Sequence, residues 1–378
     1  DTSYEVVKND LRAPAYPLVT IDPYASAWSM SDNLYDSPVR HWTGKDFPLI
    51  GVVKVDGVSY RFMGTEELEM NAIVPTSQQG EWTGRYITDK PAGDWTSADY
   101  NDSGWKSDRG AFGTKENEPT AKTQWGTRNI WVRRTVNIDR DLTGIPVYLE
   151  FSNDDDAVFY INGVKIHSTG TTCNKNKVVK LSDEALAALK QGDNIIAAEC
   201  INPVGNGLLD FGLQIPKHQE TVFGNTAVQT SADVQPMQTH YAFTCGDVDL
   251  KVTFTAPLFM EDLKLLSRPV NYLTYSVAAR DGKEHDVEVY FEASPRWALD
   301  QPYQQSASEG YEADGLLYLK SGSKEQNILA KQGDDLRIDW GYFYMVSGKE
   351  NTAYSIGNST ELRKNFVNGT FNSASLAG

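Results

Sequence analysis

Hydrophobic and polar residues alternate with a period of two along most of this chain. Val248, Leu250, Val252 and Phe254 interleave with Asp249, Lys251, Thr253 and Thr255, which predicts a strand with one buried and one wet face. A second run, Leu273 through Ala279, reaches Asp281-Gly282 and is followed by Val287, Val289 and Phe291. Asp-Gly between alternating runs predicts a hairpin, because Gly accepts the positive φ of a tight turn. The same grammar surrounds Asp56-Gly57 between Val52 and Met63, and Asn162-Gly163 between Val158 and Ile166. Helical signals are few. Ser182 can cap a helix over Asp183 through Lys190, with Gly192 as its stop, and Glu361 through Phe366 could begin another. With 16 Pro and 30 Gly spread between many short strands, the chain reads as all-β, built of β-sandwiches rather than alternating βα units.

Composition shifts twice along the chain. A Tyr- and Pro-rich segment covers residues 1–75, a Trp-, Asp-, Asn- and Gly-rich region covers 81–215, and long alternating strands resume over 220–378. The polar stretches Pro75-Thr76-Ser77-Gln78-Gln79-Gly80 and Pro216-Lys217-His218-Gln219-Glu220 read as linkers. The small, polar run from Asn368 to Gly378 also has linker character, as expected of a segment leading to a further domain.

Charge narrows the possible partners. The 35 Lys+Arg against 51 Asp+Glu give a net charge of −16, which disfavours nucleic acid and anionic lipid, both held through clustered cations. No apolar stretch approaches the ~18 residues needed to span a bilayer, and Asp1 does not open a charged-then-apolar signal peptide. Cys173, Cys200 and Cys245 form neither a metal-spaced cluster nor an even disulfide framework and read as small buried hydrophobes.

Familiar catalytic signatures are absent from the text: no Gly-x-Ser-x-Gly elbow, no phosphate-binding Gly-rich loop with Lys, no His-Glu-x-x-His. Nothing in it calls for a cofactor or a metal. Of the five histidines, His285 lies near Glu288, but positions three apart in a strand face opposite sides. The densest polar-aromatic cluster is Arg40-His41-Trp42-Thr43-Gly44-Lys45. Arg offers a planar fork and Trp a flat wall for a carboxylate- or amide-bearing ligand, and the same pair is enriched where domains meet. Asp334-Asp335-Leu336-Arg337-Ile338-Asp339-Trp340-Gly341-Tyr342 carries the same two readings. Arg40, His41, Trp42, Asp339, Trp340 and Tyr342 are therefore candidate interface or ligand contacts. Asn153-Asp154-Asp155-Asp156 offers oxygens for calcium, yet it lacks the Gly and bidentate Glu of a helical calcium loop and reads better as a turn. Trp82, Trp95, Trp105, Trp125 and Trp131 suggest sugar stacking or a buried core, with Trp125 the candidate sugar contact.

Longer phrases are familiar. Leu11-Arg12-Ala13-Pro14-Ala15-Tyr16-Pro17-Leu18-Val19-Thr20-Ile21-Asp22-Pro23-Tyr24, Leu34-Tyr35-Asp36-Ser37-Pro38, Arg40 to Gly44, Leu265 to Thr274 and Asp335 to Tyr342 resemble the N-terminal, β-rich part of the glutaminase A family. The middle region, through Ile130-Trp131-Val132-Arg133-Arg134, Tyr160-Ile161-Asn162-Gly163 and Leu209-Asp210-Phe211-Gly212-Leu213, is similar to the galactose-binding-like jelly roll of family-two glycoside hydrolases. The first resemblance implies hydrolysis of glutamine to glutamate and ammonia in a periplasmic or secreted enzyme. It also implies catalytic residues in a C-terminal α-helical toroid, absent here, which would be the partner of this chain. The second leaves a carbohydrate ligand open, as part of an accessory or structural region of a glycosidase-like hydrolase.

Overall fold

The alternating runs and their turns build two compact units in a computed structural model that describes residues 8, 9, 11–217, 221–332 and 336–373. Unit 1 combines Asp1–Glu67 with Thr221–Gly378, and unit 2 is Leu68–Glu220. His218, Gln219 and Glu220 of the second linker, Asp334 and Asp335, and the last five residues of the polar C-terminal run lie outside the described residues. Among the described residues no helix is long and apolar enough to cross a membrane.

Unit 1 is built of strands joined by loops, with short helices. Its four-stranded antiparallel sheet runs Val228–Gln235, Gln238–Cys245, Val248–Thr255, Tyr272–Ala279. Val248, Leu250, Val252 and Phe254 are buried in the core with Phe62, Tyr241 and Phe243, while Asp249 and Lys251 face water. Each such side chain contributes about 1.5–3 kcal/mol as an upper estimate. A three-stranded sheet sets Leu49–Val55 between Val287–Ala293 and Val58–Met63. Leu49–Val55 is buried at every position, Lys54 included. That lysine is accommodated because its ammonium donates to the Phe366 carbonyl at 2.9 Å and pairs with Glu288 at 3.1 Å. Phe366 lies on the helix Ser359–Val367, capped by Asn358, whose side chain accepts from the Glu361 N–H. The incipient helix read at Glu361 through Phe366 is thus a full element, with a cation at its carbonyl end.

Unit 2 is a sandwich of two six-stranded sheets. Phe151 and Phe211 from one sheet meet Phe159 from the other with ring centroids 5.0 and 5.7 Å apart. Ser182 caps the helix Asp183–Ala188 by accepting from the Ala185 N–H. The polar stretch after Pro75 is built into this unit. Asp210 accepts from the Ser77 and Trp82 Nε1 N–H groups, and the Arg134 guanidinium lies 4.0 Å from the Trp82 ring centroid while donating to the Phe211 and Pro75 carbonyls. Met70–Val74, which composition groups with the N-terminal segment, pairs here with Leu208–Pro216.

Asp56-Gly57 and Asn162-Gly163 form the expected turns, with φ of 49° and 84°, and 47° and 90°. Asp281-Gly282 does not. The strand before it joins the four-stranded sheet, and the strand after it joins Leu49–Val55. The dipeptide therefore marks a crossing between sheets.

Candidate functional site

The cluster around His41 sits on a tight hairpin of unit 1. Arg40 bridges to Asp46, the His41 N–H donates to the Lys45 carbonyl at 2.8 Å, and Gly44 supplies φ +91° at the turn. His41 is fully buried. Its Nε2 lies 3.0 Å from the Pro23 carbonyl, which can only accept, so Nε2 carries the proton. Nδ1 then accepts from the Thr43 hydroxyl at 2.8 Å. Both ring nitrogens are committed to holding the hairpin, which leaves no free base. Trp42 donates its indole N–H to the Pro23 carbonyl at 2.6 Å and leaves 54% of its surface exposed.

The second cluster reaches the first through Arg337, which donates to Thr43 Oγ1 at 3.3 Å. Arg337 is buried against Asp300, whose Oδ1 accepts from the Arg337 N–H at 3.0 Å and from its guanidinium at 3.3 Å. Lys331 joins Asp300 at 3.1 Å to Asp339 at 2.8 Å, and Gln304 donates to the same Asp339 carboxylate at 2.8 Å. Burial favours the neutral form of Asp300, but the Arg337 N–H, Lys331 and the Arg337 guanidinium outweigh it and hold the carboxyl below its usual range. An aromatic row runs alongside: His41 to Phe47, Phe47 to Trp297 and Trp297 to Phe343, with centroids 5.1, 5.1 and 4.9 Å apart. Tyr342 is 52% exposed, with the Lys320 ammonium 4.1 Å from its ring centroid, and Trp340 is half-buried.

Arg40 is not drawn into that network. It pairs with Asp46 at 3.1 Å. Beside it Arg296 pairs with Glu67 at 2.8 Å. Burial raises the Glu67 carboxyl above its usual range against the pull of Arg296, and neighbouring Asp46 raises it further. Asp300, Gln304, Arg296 and Glu67 lie far in sequence from the clusters they complete, and Lys331, three residues before Asp334, has no motif around it that sets it apart.

Three other readings meet the structure in unit 2 and at its counterpart turns. Trp125 is 3% exposed, in the core, its indole N–H donating to Thr127 Oγ1 at 3.1 Å. A ring so enclosed has no face for a sugar, so the contact expected there is corrected to core packing. Instead of a solvated turn, the strand Tyr148–Asp154 passes to Asp156–Ile161 through a single bend at Asp155, with buried Asn153 donating to the Asp155 and Thr172 carbonyls, and Asp154 is pushed up to about 6 by burial and by adjacent Asp155. Among the described residues no group of three or more His, Cys, Asp or Glu is placed to hold a metal ion. Cys200 and Cys245 are buried, whereas Cys173 is exposed.

Comparison with known proteins gives partial matches. Residues 1–75 match a domain of unknown function (DUF4964), and residues 237–376 match another (DUF5127). Over 145 residues the chain is 28% identical to Glutaminase A of Aspergillus oryzae, a match covering 38% of this chain and 21% of that protein. Among solved structures, β-glucuronidase 2 of Bacteroides uniformis is 10% identical with a TM-score of 0.31 over 75% of this chain and 32% of its own. The β-glucuronidase of Ruminococcus gnavus is 11% identical with a TM-score of 0.29 over 75% and 44%. The chain thus spans about a fifth of its curated relative and less than half of these solved chains, and it is similar in sequence to part of a hydrolase.

Proposed function

We propose that this chain is a non-catalytic, β-rich accessory region of a glutaminase-like amidohydrolase, whose unit 1 holds the partner catalytic part through the face around Trp42 and Tyr342. The observation that carries this reading is the junction of the two clusters at Arg337 and Thr43. Its buried charges are matched within the unit and both imidazole nitrogens of His41 are engaged, while the Trp42 and Tyr342 rings stay exposed. Exposed aromatics on a rigid, internally satisfied base suit docking better than proton transfer. The similarity to Glutaminase A supplies the reaction class, glutamine and water to glutamate and ammonia. A periplasmic or secreted location belongs to the same proposal. For unit 2 we propose a structural role, since Trp82, Trp105, Trp125 and Trp131 are buried and the half-buried Trp95 packs against Trp105 and Tyr160. The test is ammonia release from glutamine by the purified 378-residue chain: no release above the blank is expected, and sustained turnover would overturn the non-catalytic assignment.

A further inference from the structure

In unit 1 the strand Tyr272–Ala279 ends the four-stranded sheet. It pairs with Val248–Thr255 residue for residue, without a bulge, and with no described strand on its other side. The register sets Leu273, Tyr275, Val277 and Ala279 opposite Phe254, Val252, Leu250 and Val248, and opposed residues share a face of a sheet. Those four partners are buried in the core. Tyr275 is nevertheless 51% exposed and Val277 40%, so the core runs on past its cover. Sheet edges are ordinarily guarded by charge, proline or a bulge, and the sequence Tyr-Leu-Thr-Tyr-Ser-Val-Ala-Ala has none of these. The approach to it is apolar as well, with Leu258, Phe259, Met260, Leu263, Leu266 and Val270 exposed.

We propose that this edge is a self-association surface, on which two copies of the chain pair Tyr272–Ala279 antiparallel about a two-fold axis and join two four-stranded sheets into one of eight. The open N–H and C=O groups call for a strand, because only a ladder satisfies them in register. The half-covered core calls for that strand to be uncharged and apolar on the same face, since a charge there would lose its hydration without a partner. An identical strand meets both requirements, and antiparallel pairing about a two-fold lets each copy offer the same surface. In a chain of net charge −16 this is a place where two copies approach without like charges opposed.

Sedimentation equilibrium of the 378-residue chain, with hydrogen exchange at rising concentration, tests the idea. A monomer–dimer equilibrium is expected, with amides of 272–279 slowing as dimer forms. Ser276→Glu lies on the face away from the core and near the axis, opposite Lys251 in its own sheet, and is expected to weaken association at least about tenfold without lowering the melting temperature of the monomer. Val277→Lys should do the same from the core face. A chain monomeric at every concentration, or a dimer whose dissociation constant Ser276→Glu leaves alone, would overturn the proposal.

Discussion

His285 lies between two Asp-Gly dipeptides of unit 1, with Nδ1 2.6 Å from Asp56 and Nε2 2.8 Å from Asp281. Hydrogen bonds to Asp56 and then Asp281 raise the imidazole to about 8, and they hold both carboxyls below their usual range. The folded-state value lies above the ordinary 6.5. The bridge therefore stabilises fully below about pH 6.5 and fades as pH rises through about 8. On the acid side the two depressed carboxyls give up their share as they take protons. Melting temperatures taken at about pH 6 and about pH 9 should fall further for the native chain than for His285→Gln, and equal falls would show the bridge to be idle. Little of this was legible in sequence, where Asp281, Glu284, Asp286 and Glu288 all lie within four residues of His285 and nothing singles out Asp281 or brings in Asp56. Glu288 instead pairs with Lys54, and the true partners of His285 are the Asp residues of two Asp-Gly dipeptides brought together by the fold. The candidate site has the same character. Charge and aromatic density mark Arg40–Lys45 and Arg337–Tyr342, but Asp300 and Lys331, which join Arg337 to Asp339, carry no local signal.

Elements were more legible than sites, because turn chemistry and period-two alternation are local. Asp56-Gly57 and Asn162-Gly163 turn as expected, while Asp281-Gly282 has the right dipeptide but strands that find better partners in two different sheets. Local grammar specifies that the chain turns, and burial decides what the next strand pairs with. Close backbone approach is another non-local demand. Gly212 lies on Leu208–Pro216, where a Cβ would sit 2.3 Å from the Val74 carbonyl oxygen and 2.9 Å from the Pro75 carbonyl carbon. The Met70–Val74 strand can seat itself there only against a residue with no side chain. Gly212→Ala should cost about 1–3 kcal/mol by overpacking and speed exchange of the amides in Met70–Val74. Gly126→Ala, where a Cβ meets nothing within 4 Å, is the control and should unfold at the same denaturant concentration as the native chain. If the two variants behave alike, the close approach does not govern that strand.

At the scale of the molecule, each unit closes around its own chain ends. In unit 1 the Glu66 carboxylate accepts from the Val222 and Phe223 N–H groups at 2.9 and 3.0 Å, and Arg363 of the helix Ser359–Val367 stands 3.7 Å from it. Arg363 also pairs with Glu292 at 2.6 Å, so the point where the chain leaves the unit and returns is clamped to the sandwich. In unit 2 the Lys217 N–H donates to the Glu69 carbonyl at 2.7 Å, and the two side chains pair at 3.1 Å. Each unit also buries a hydrophobic cluster of its own. Composition suggested an inserted region over 81–215, and the compact unit spans Leu68–Glu220; the difference is the polar and strand residues before Glu81 that Asp210 and Leu208–Pro216 recruit. With both stems already together, replacing residues 68–220 by a short Gly/Ser linker shortens a loop whose closure costs only about (3/2)RT ln n, and removes no contact within the clamp. Unit 1 without the insert is expected to give a single cooperative melt and the near-ultraviolet dichroism of packed aromatics. Residues 68–220 expressed alone should do likewise. A molten unit 1 that binds a hydrophobic dye, with residues 68–220 folded, would mean that the first unit depends on the second for its core, and that the clamp at Glu66 is not enough to close it.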